Sequence, residues 1–191
     1  KHPETKIIIF LRNHRDWMKS RYKYYLRKHG KKSFKEFVDI YNNNGIVDLE
    51  EFYFYPKIQF LKAHFHHQPY IFFQDDLKNE PFKVIDQLAQ LTGTTYDRPA
   101  IEIKTVKKAY SEKQLKAVRE YNKIVDFTPP KTRNKFLRWW AMKPIQFLLH
   151  ATAFFASFMP QKITGKTPLI PEDELNKVDK KFKEDWQKCV E

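Results

Sequence analysis

Only one cysteine occurs among the 191 residues, Cys189, two positions from the end. A lone thiol excludes an intramolecular disulfide and a cysteine-based zinc site, and it fits a reducing compartment. Glycine is nearly as scarce. The four present are Gly30, Gly45, Gly93 and Gly165, too dispersed to form a glycine-rich loop of the kind that cradles phosphates. Acidic residues are outnumbered, 23 against 36 lysines and arginines, for a net charge of +13. The chain shows no internal repeat and no low-complexity segment. It opens at Lys1 with no signal-peptide pattern, so the expectation is a fragment or a trimmed chain.

What is present fits a globular protein with a core. A hydrophobic content of 41% over 191 residues suits one ordinary domain. The basic excess concentrates at the start, where Lys1–Lys35 holds twelve Lys or Arg opposed only by Glu4 and Asp16. So local a field is the footprint of an anionic ligand: a nucleotide phosphate, a nucleic acid, a sulfated or phosphorylated glycan, or an acidic lipid. A solvated basic face is the plainer alternative, and composition does not separate the two.

Two short apolar runs read as strands. Ile7–Leu11 has no alternation and suggests a strand buried on both faces, as in a parallel sheet covered by helices. PYIFF at 69–73 is the second, bounded by Pro69 and by Gln74, Asp75 and Asp76. Between them Asn13 caps a helix that has Asp16 in its first turn and stops at Gly30. Ser33 caps another stretch, and Pro56 opens a new helix within 50–65. Pro81 and Gly93 bracket a further helix. This order predicts an α/β layer fold. Two strands alone make a poor sheet, so partner strands are expected before Lys1.

The second half reads as helical: a helix over 111–126 ended by Pro129 and Pro130, an apolar stretch over 136–160, and an amphipathic helix after Pro171. Between Pro144 and Pro160 lie fifteen residues, too few to cross a bilayer at helical rise. That segment reads first as a core or subunit-packing helix and second as one lying on a membrane surface. The expected organisation is one domain over 1–191, with a sheet-containing part at 1–110 and a helical part at 111–191.

If Leu11 ends a strand and Asn13 caps a helix, Arg12 projects at the carboxyl edge of the sheet, the usual ligand side of an open α/β sheet. Ser20 follows two turns on and shares a face with Asp16 and Tyr24. An arginine fork grips a phosphate at two oxygens and a serine hydroxyl adds a neutral donor. An Arg12 paired with a carboxylate and a Ser20 serving only as a small packing residue would look the same in sequence. His64, His66 and His67 are poorly spaced for a shared metal, so no metal site is expected. No Ser/His/Asp motif supports a hydrolytic triad.

The pattern Arg12-Asn13-x-x-Asp16-x-x-x-Ser20-x-Tyr22 after a hydrophobic strand resembles the 3′-phosphate-binding segment of sulfotransferases that use 3′-phosphoadenosine-5′-phosphosulfate (PAPS). IFFQDDLKNEPFKVIDQLAQLTG is similar to that family's second strand, acidic turn and following helix. The closing PLIPEDELNKVDKKFKEDW is similar to its last helix. Three motifs in order weigh more than one. The resemblance implies a P-loop-NTPase-like sulfotransferase fold, a parallel sheet flanked by helices, incomplete at the N-terminus and helix-rich at the C-terminus. It implies Arg12 and Ser20 as contacts to the 3′-phosphate of PAPS or adenosine 3′,5′-bisphosphate, with Lys166, in QKITGKT, as a further phosphate contact.

Departures accompany the matches. His14 stands where proline often follows the Asn in the family, and Gln74 where some relatives stack an aromatic on adenine. The phosphosulfate loop and the catalytic base are expected before Lys1, so the catalytic residues are not assigned. The implied activity is sulfuryl transfer to an acceptor hydroxyl, on a carbohydrate or another small molecule. The expected setting is cytoplasmic, with peripheral membrane contact through Trp139 and Trp140 as a compatible reading. A different class stays open: a non-enzymatic basic module that binds polyanions, although no recognised nucleic-acid motif is present.

Overall fold

The two apolar runs become strands and pair with each other. β1 (Ile8–Leu11) and β2 (Tyr70–Phe73) run parallel, in a register from Ile8 opposite Tyr70 to Leu11 opposite Phe73. In this computed structural model, which describes residues 2, 4–104, 110–128, 131–160 and 167–191, they form a two-stranded sheet in a helix-rich α/β fold. The helices are α1 (His14–Arg27), α2 (Phe34–Phe37), α3 (Tyr55–His64), α4 (Gln74–Asn79), α5 (Pro81–Thr92), α6 (Glu112–Ile124), α7 (Lys135–Phe158) and α8 (Glu172–Val190). Contacts divide the chain into two units: Lys1–Trp17 with Glu50–Lys108 and Phe182–Glu191, and Met18–Leu49 with Ala109–Lys181.

In the first unit Leu11, Ile58 and Cys189 form a buried cluster, with Ile9, Ile71, Phe73 and Trp186 against it. The strands were expected to be buried on both faces, and they are not. Ile8 and Phe10 are 38% and 47% exposed, while Phe10 stacks on Phe72 at 5.4 Å. Odd and even positions of a strand face opposite sides; here the Ile9, Leu11 side packs and the Ile8, Phe10 side stays open. Pro56 opens α3 as its sequence position predicts, and α5 ends on Gly93 in the left-handed conformation, φ +67°.

In the second unit the fully buried Met18, Tyr22 and Leu26 recur every four residues along α1 and mark its core face. Tyr22 meets Phe34 and Phe37 at ring distances of 5.2 and 5.3 Å, and its hydroxyl donates to the Lys32 carbonyl. Asn122 Nδ2 donates to the carbonyls of Leu26 and Gly30, at 2.8 and 2.7 Å, and so closes the end of α1. The left-handed residue at that end is His29, φ +70°, rather than Gly30. Gly30 is needed for another reason: a Cβ there would lie 2.4 Å from the Tyr25 ring. Ser33 and Ser111 cap α2 and α6 through capping boxes with Glu36 and Gln114.

Two expectations for α7 are corrected. It does not begin after Pro144; it starts behind the Asn134 cap and carries Pro144 within it, over 24 residues. Nor is it enclosed in the core: of the core or subunit-packing expectation, one side of the helix is core and the other is exposed. Leu149, Ala153 and Ala156 are buried, Leu149 and Ala153 against Val118 of α6, while most of its large apolar side chains are exposed. Among the described residues no helix is long and apolar enough to cross a membrane.

His29 makes a pH-dependent contribution. Its ring stacks on Phe127 at 3.7 Å, and its Nδ1 is buried with no hydrogen-bond partner among the described residues. Burial, aided by the charge of Lys28, holds its pKa below the ordinary 6.5. The folded state therefore binds fewer protons than the unfolded chain near that pH, and the His29 contribution is present above about 6.5 and lost as the pH falls below it. Chemical denaturation of His29→Asn, which tolerates positive φ, should show a shallower loss of stability between neutral and mildly acidic pH than the parent.

Candidate functional site

Because β1 and β2 are parallel and Leu11 lies opposite Phe73, the residues that follow them leave the same edge of the sheet. Arg12 and Asn13 leave β1 there; Gln74, Asp75 and Asp76 leave β2 and open α4. The Asn13 side-chain oxygen accepts the Arg15 backbone N–H at 3.0 Å and so caps α1 as expected. Arg12 is half-buried, and its Nε is buried with no hydrogen-bond partner among the described residues. A buried guanidinium donor left unmatched is costly unless an acceptor arrives. An anion bound at this edge would be such an acceptor, and the N-terminus of α1 would favour its charge.

His14 turns from a departure in the motif into the anchor of the segment. Its Nε2 lies 2.9 Å from the Phe52 carbonyl and 3.1 Å from Asp185 Oδ2. The ring is stacked between Phe54, at 4.4 Å, and Phe182, at 4.8 Å, with Trp186 edge-on. Asp185 in turn accepts the backbone N–H groups of Phe54 (2.9 Å) and Tyr55 (3.1 Å). One buried carboxylate on the last turns of α8 thus fixes both the residue that starts α1 and the residues that start α3. Proline at position 14 would preset the backbone by its ring alone; here a polar side chain does so from its far end. Sequence reasoning missed Asp185. On α8 it lies among charged neighbours, and only its spacing from Phe182 and Trp186, three before and one after, sets it beside the buried face.

Ser20 is half-buried on α1, on the side opposite the Met18, Tyr22, Leu26 stripe, and it falls in the second unit, whereas Arg12 falls in the first. Tyr22, part of the motif, is a core residue; burial pushes its hydroxyl pKa up. Lys166 lies outside the described residues. Among those described, no group of three or more His, Cys, Asp and Glu side chains is gathered as a metal would require. The Cys189 thiol is buried and its pKa is pushed up to about 12, so it is not a nucleophile at neutral pH. A separate cavity of about 450 Å³ lies in the second unit beside Lys35, Lys116 and Arg119, and neither Arg12 nor Ser20 lines it.

The motif and its sheet-edge setting agree with a comparison of the whole sequence. A family model described as a sulfotransferase domain matches residues 1–150. The chain belongs to the sulfotransferase family. Among curated proteins and among solved structures, none matches it. For a sulfotransferase the parallel β1–β2 pair and the helices around it are in keeping with the P-loop-like fold that membership implies. Membership also implies PAPS as sulfuryl donor together with an acceptor. The match includes Arg12, Asn13, His14, Ser20 and the β2 edge; it ends before Lys166 and α8.

Proposed function

We propose that this sulfotransferase binds PAPS with Arg12 and Ser20 on its 3′-phosphate and transfers the sulfuryl group to a hydroxyl of a carbohydrate or another small acceptor. The observation that carries the reading is the buried Nε of Arg12, without a partner among the described residues, at the carboxyl edge of β1 and inside the matched region. A guanidinium whose donor is already desolvated binds a phosphate oxygen without first giving up water on that side. PAPS, when bound, supplies the sulfuryl group for transfer. The chain's part is positioning: Arg12 and Ser20 hold the 3′-phosphate, and the His14–Asp185 clasp keeps the backbone of residues 12–14 in place. We place the whole of 1–191 in one sulfotransferase-like domain, with Lys166 as a further phosphate contact and a cytoplasmic setting.

Calorimetric titration with adenosine 3′,5′-bisphosphate, run beside adenosine 5′-monophosphate at low and high salt, tests this. The expected result is a preference for the bisphosphate that survives salt. Equal affinities that collapse together as salt rises would mean a basic surface alone, because counterion release governs such binding, and would overturn the assignment.

A further inference from the structure

We propose that the outward face of α7 rests on an anionic lipid surface. At 3.6 residues per turn, Phe136, Trp140, Phe147, Phe154 and Phe158 project within about 40° of one another. All five are exposed, Phe147 and Phe158 by 71% and 72%, and they lie opposite the side that buries Leu149 and Ala153. A row of aromatics this long, roughly 36 Å from end to end of the helix, is far more apolar surface than a solvated face carries.

Charge identifies the partner. From Phe127 to Pro171 the sequence holds seven lysines and arginines and no aspartate or glutamate. Lys131, Arg133, Lys135 and Lys143 are exposed, and the Lys143 ammonium sits 4.7 Å from the centre of the Trp139 ring. Aromatic side chains at headgroup depth with cations beside them match an anionic bilayer surface, where both attractions act together. A second copy of the chain would bring two acid-free cationic faces together, which like-charge repulsion opposes. Because no described helix can cross a membrane, the contact is with α7 lying in the interface plane. The proposal does not depend on the nucleotide site.

The test is co-sedimentation of the protein with phosphatidylcholine vesicles, with and without phosphatidylserine, and with brominated acyl chains to quench tryptophan. Binding that requires phosphatidylserine, with quenching that disappears in the Trp139→Phe/Trp140→Phe variant, is expected; the remaining Trp17 and Trp186 are packed against Phe52, Phe54 and Phe73. Phe147→Gln and Phe154→Gln, both at exposed positions, should each weaken vesicle binding by roughly tenfold, as loss of one buried aromatic predicts. The proposal is overturned by no vesicle binding, by binding without quenching, or by binding that both glutamine variants leave unchanged. It is also overturned by a dimer that those variants dissociate in the absence of lipid.

Discussion

Asp185→Ala should lower the stability of the protein by about 3–5 kcal/mol, the range expected when a buried charged acceptor is removed and its partners are left behind. Three donors converge on this carboxylate: the His14 ring and the backbone N–H groups of Phe54 and Tyr55. The His14 ring keeps the Phe52 carbonyl, but the carboxylate it shared with two backbone amides would be gone. Each donor so abandoned costs on the order of 1–3 kcal/mol. Asp185→Asn separates charge from shape. It retains an acceptor oxygen but points an NH2 at groups that themselves donate, so it should rescue only part of the loss. Urea unfolding followed by far-UV circular dichroism reads both variants. A change below about 0.5 kcal/mol for alanine, the level of a surface position, would mean that the clasp is not formed in solution.

Arg12→Ala should weaken binding of adenosine 3′,5′-bisphosphate by about 1.5–3 kcal/mol, or roughly 10- to 150-fold, the cost of removing a charged hydrogen-bond partner. Binding of adenosine 5′-monophosphate should change far less, because the lost contact is to the 3′-phosphate. Arg12→Lys should fall between the two, since an ammonium keeps the charge but not the planar fork. Fold stability should fall far less than for Asp185→Ala, because among the described residues the buried Nε of Arg12 has no hydrogen bond to lose and only the packing of its stem is given up. An unchanged bisphosphate affinity in calorimetry would remove Arg12 from the site. Comparison with Asp185→Asn is informative: that variant should reduce affinity only in proportion to the loss of order around His14.

Local chemistry was legible where one residue decides it. Asn13 and Ser33 were readable as caps, Pro56 and Pro81 as helix starts and Gly93 as a helix end, because each acts on backbone groups within four residues. A parallel sheet followed from the unbroken apolar runs and the helices between them, whereas the pairing of β1 with β2 itself is given by the structure. Pro144 was misread. A proline inside a helix removes one backbone donor and can kink the helix without ending it, and α7 continues through Pro144. The burial of the strands was misread as well, since an unbroken apolar run does not say how many layers will cover it. The sequence motif indicated Arg12, but His14 and Asp185 stand 171 positions apart, and no local pattern marks a carboxylate that will be enclosed by residues so distant.

The solitary Cys189 lies against Leu11 and Ile58, with its thiol far too weakly acidic to react while enclosed. Alkylation of this protein is therefore a clock for local opening. A reagent in excess reports how often the end of α8 leaves β1, at one site and without any engineered label. Since Asp185 sits on the preceding turn of that helix, the same clock runs faster whenever the grip on His14 is released, and the chain carries its own gauge of how firmly the start of α1 is held.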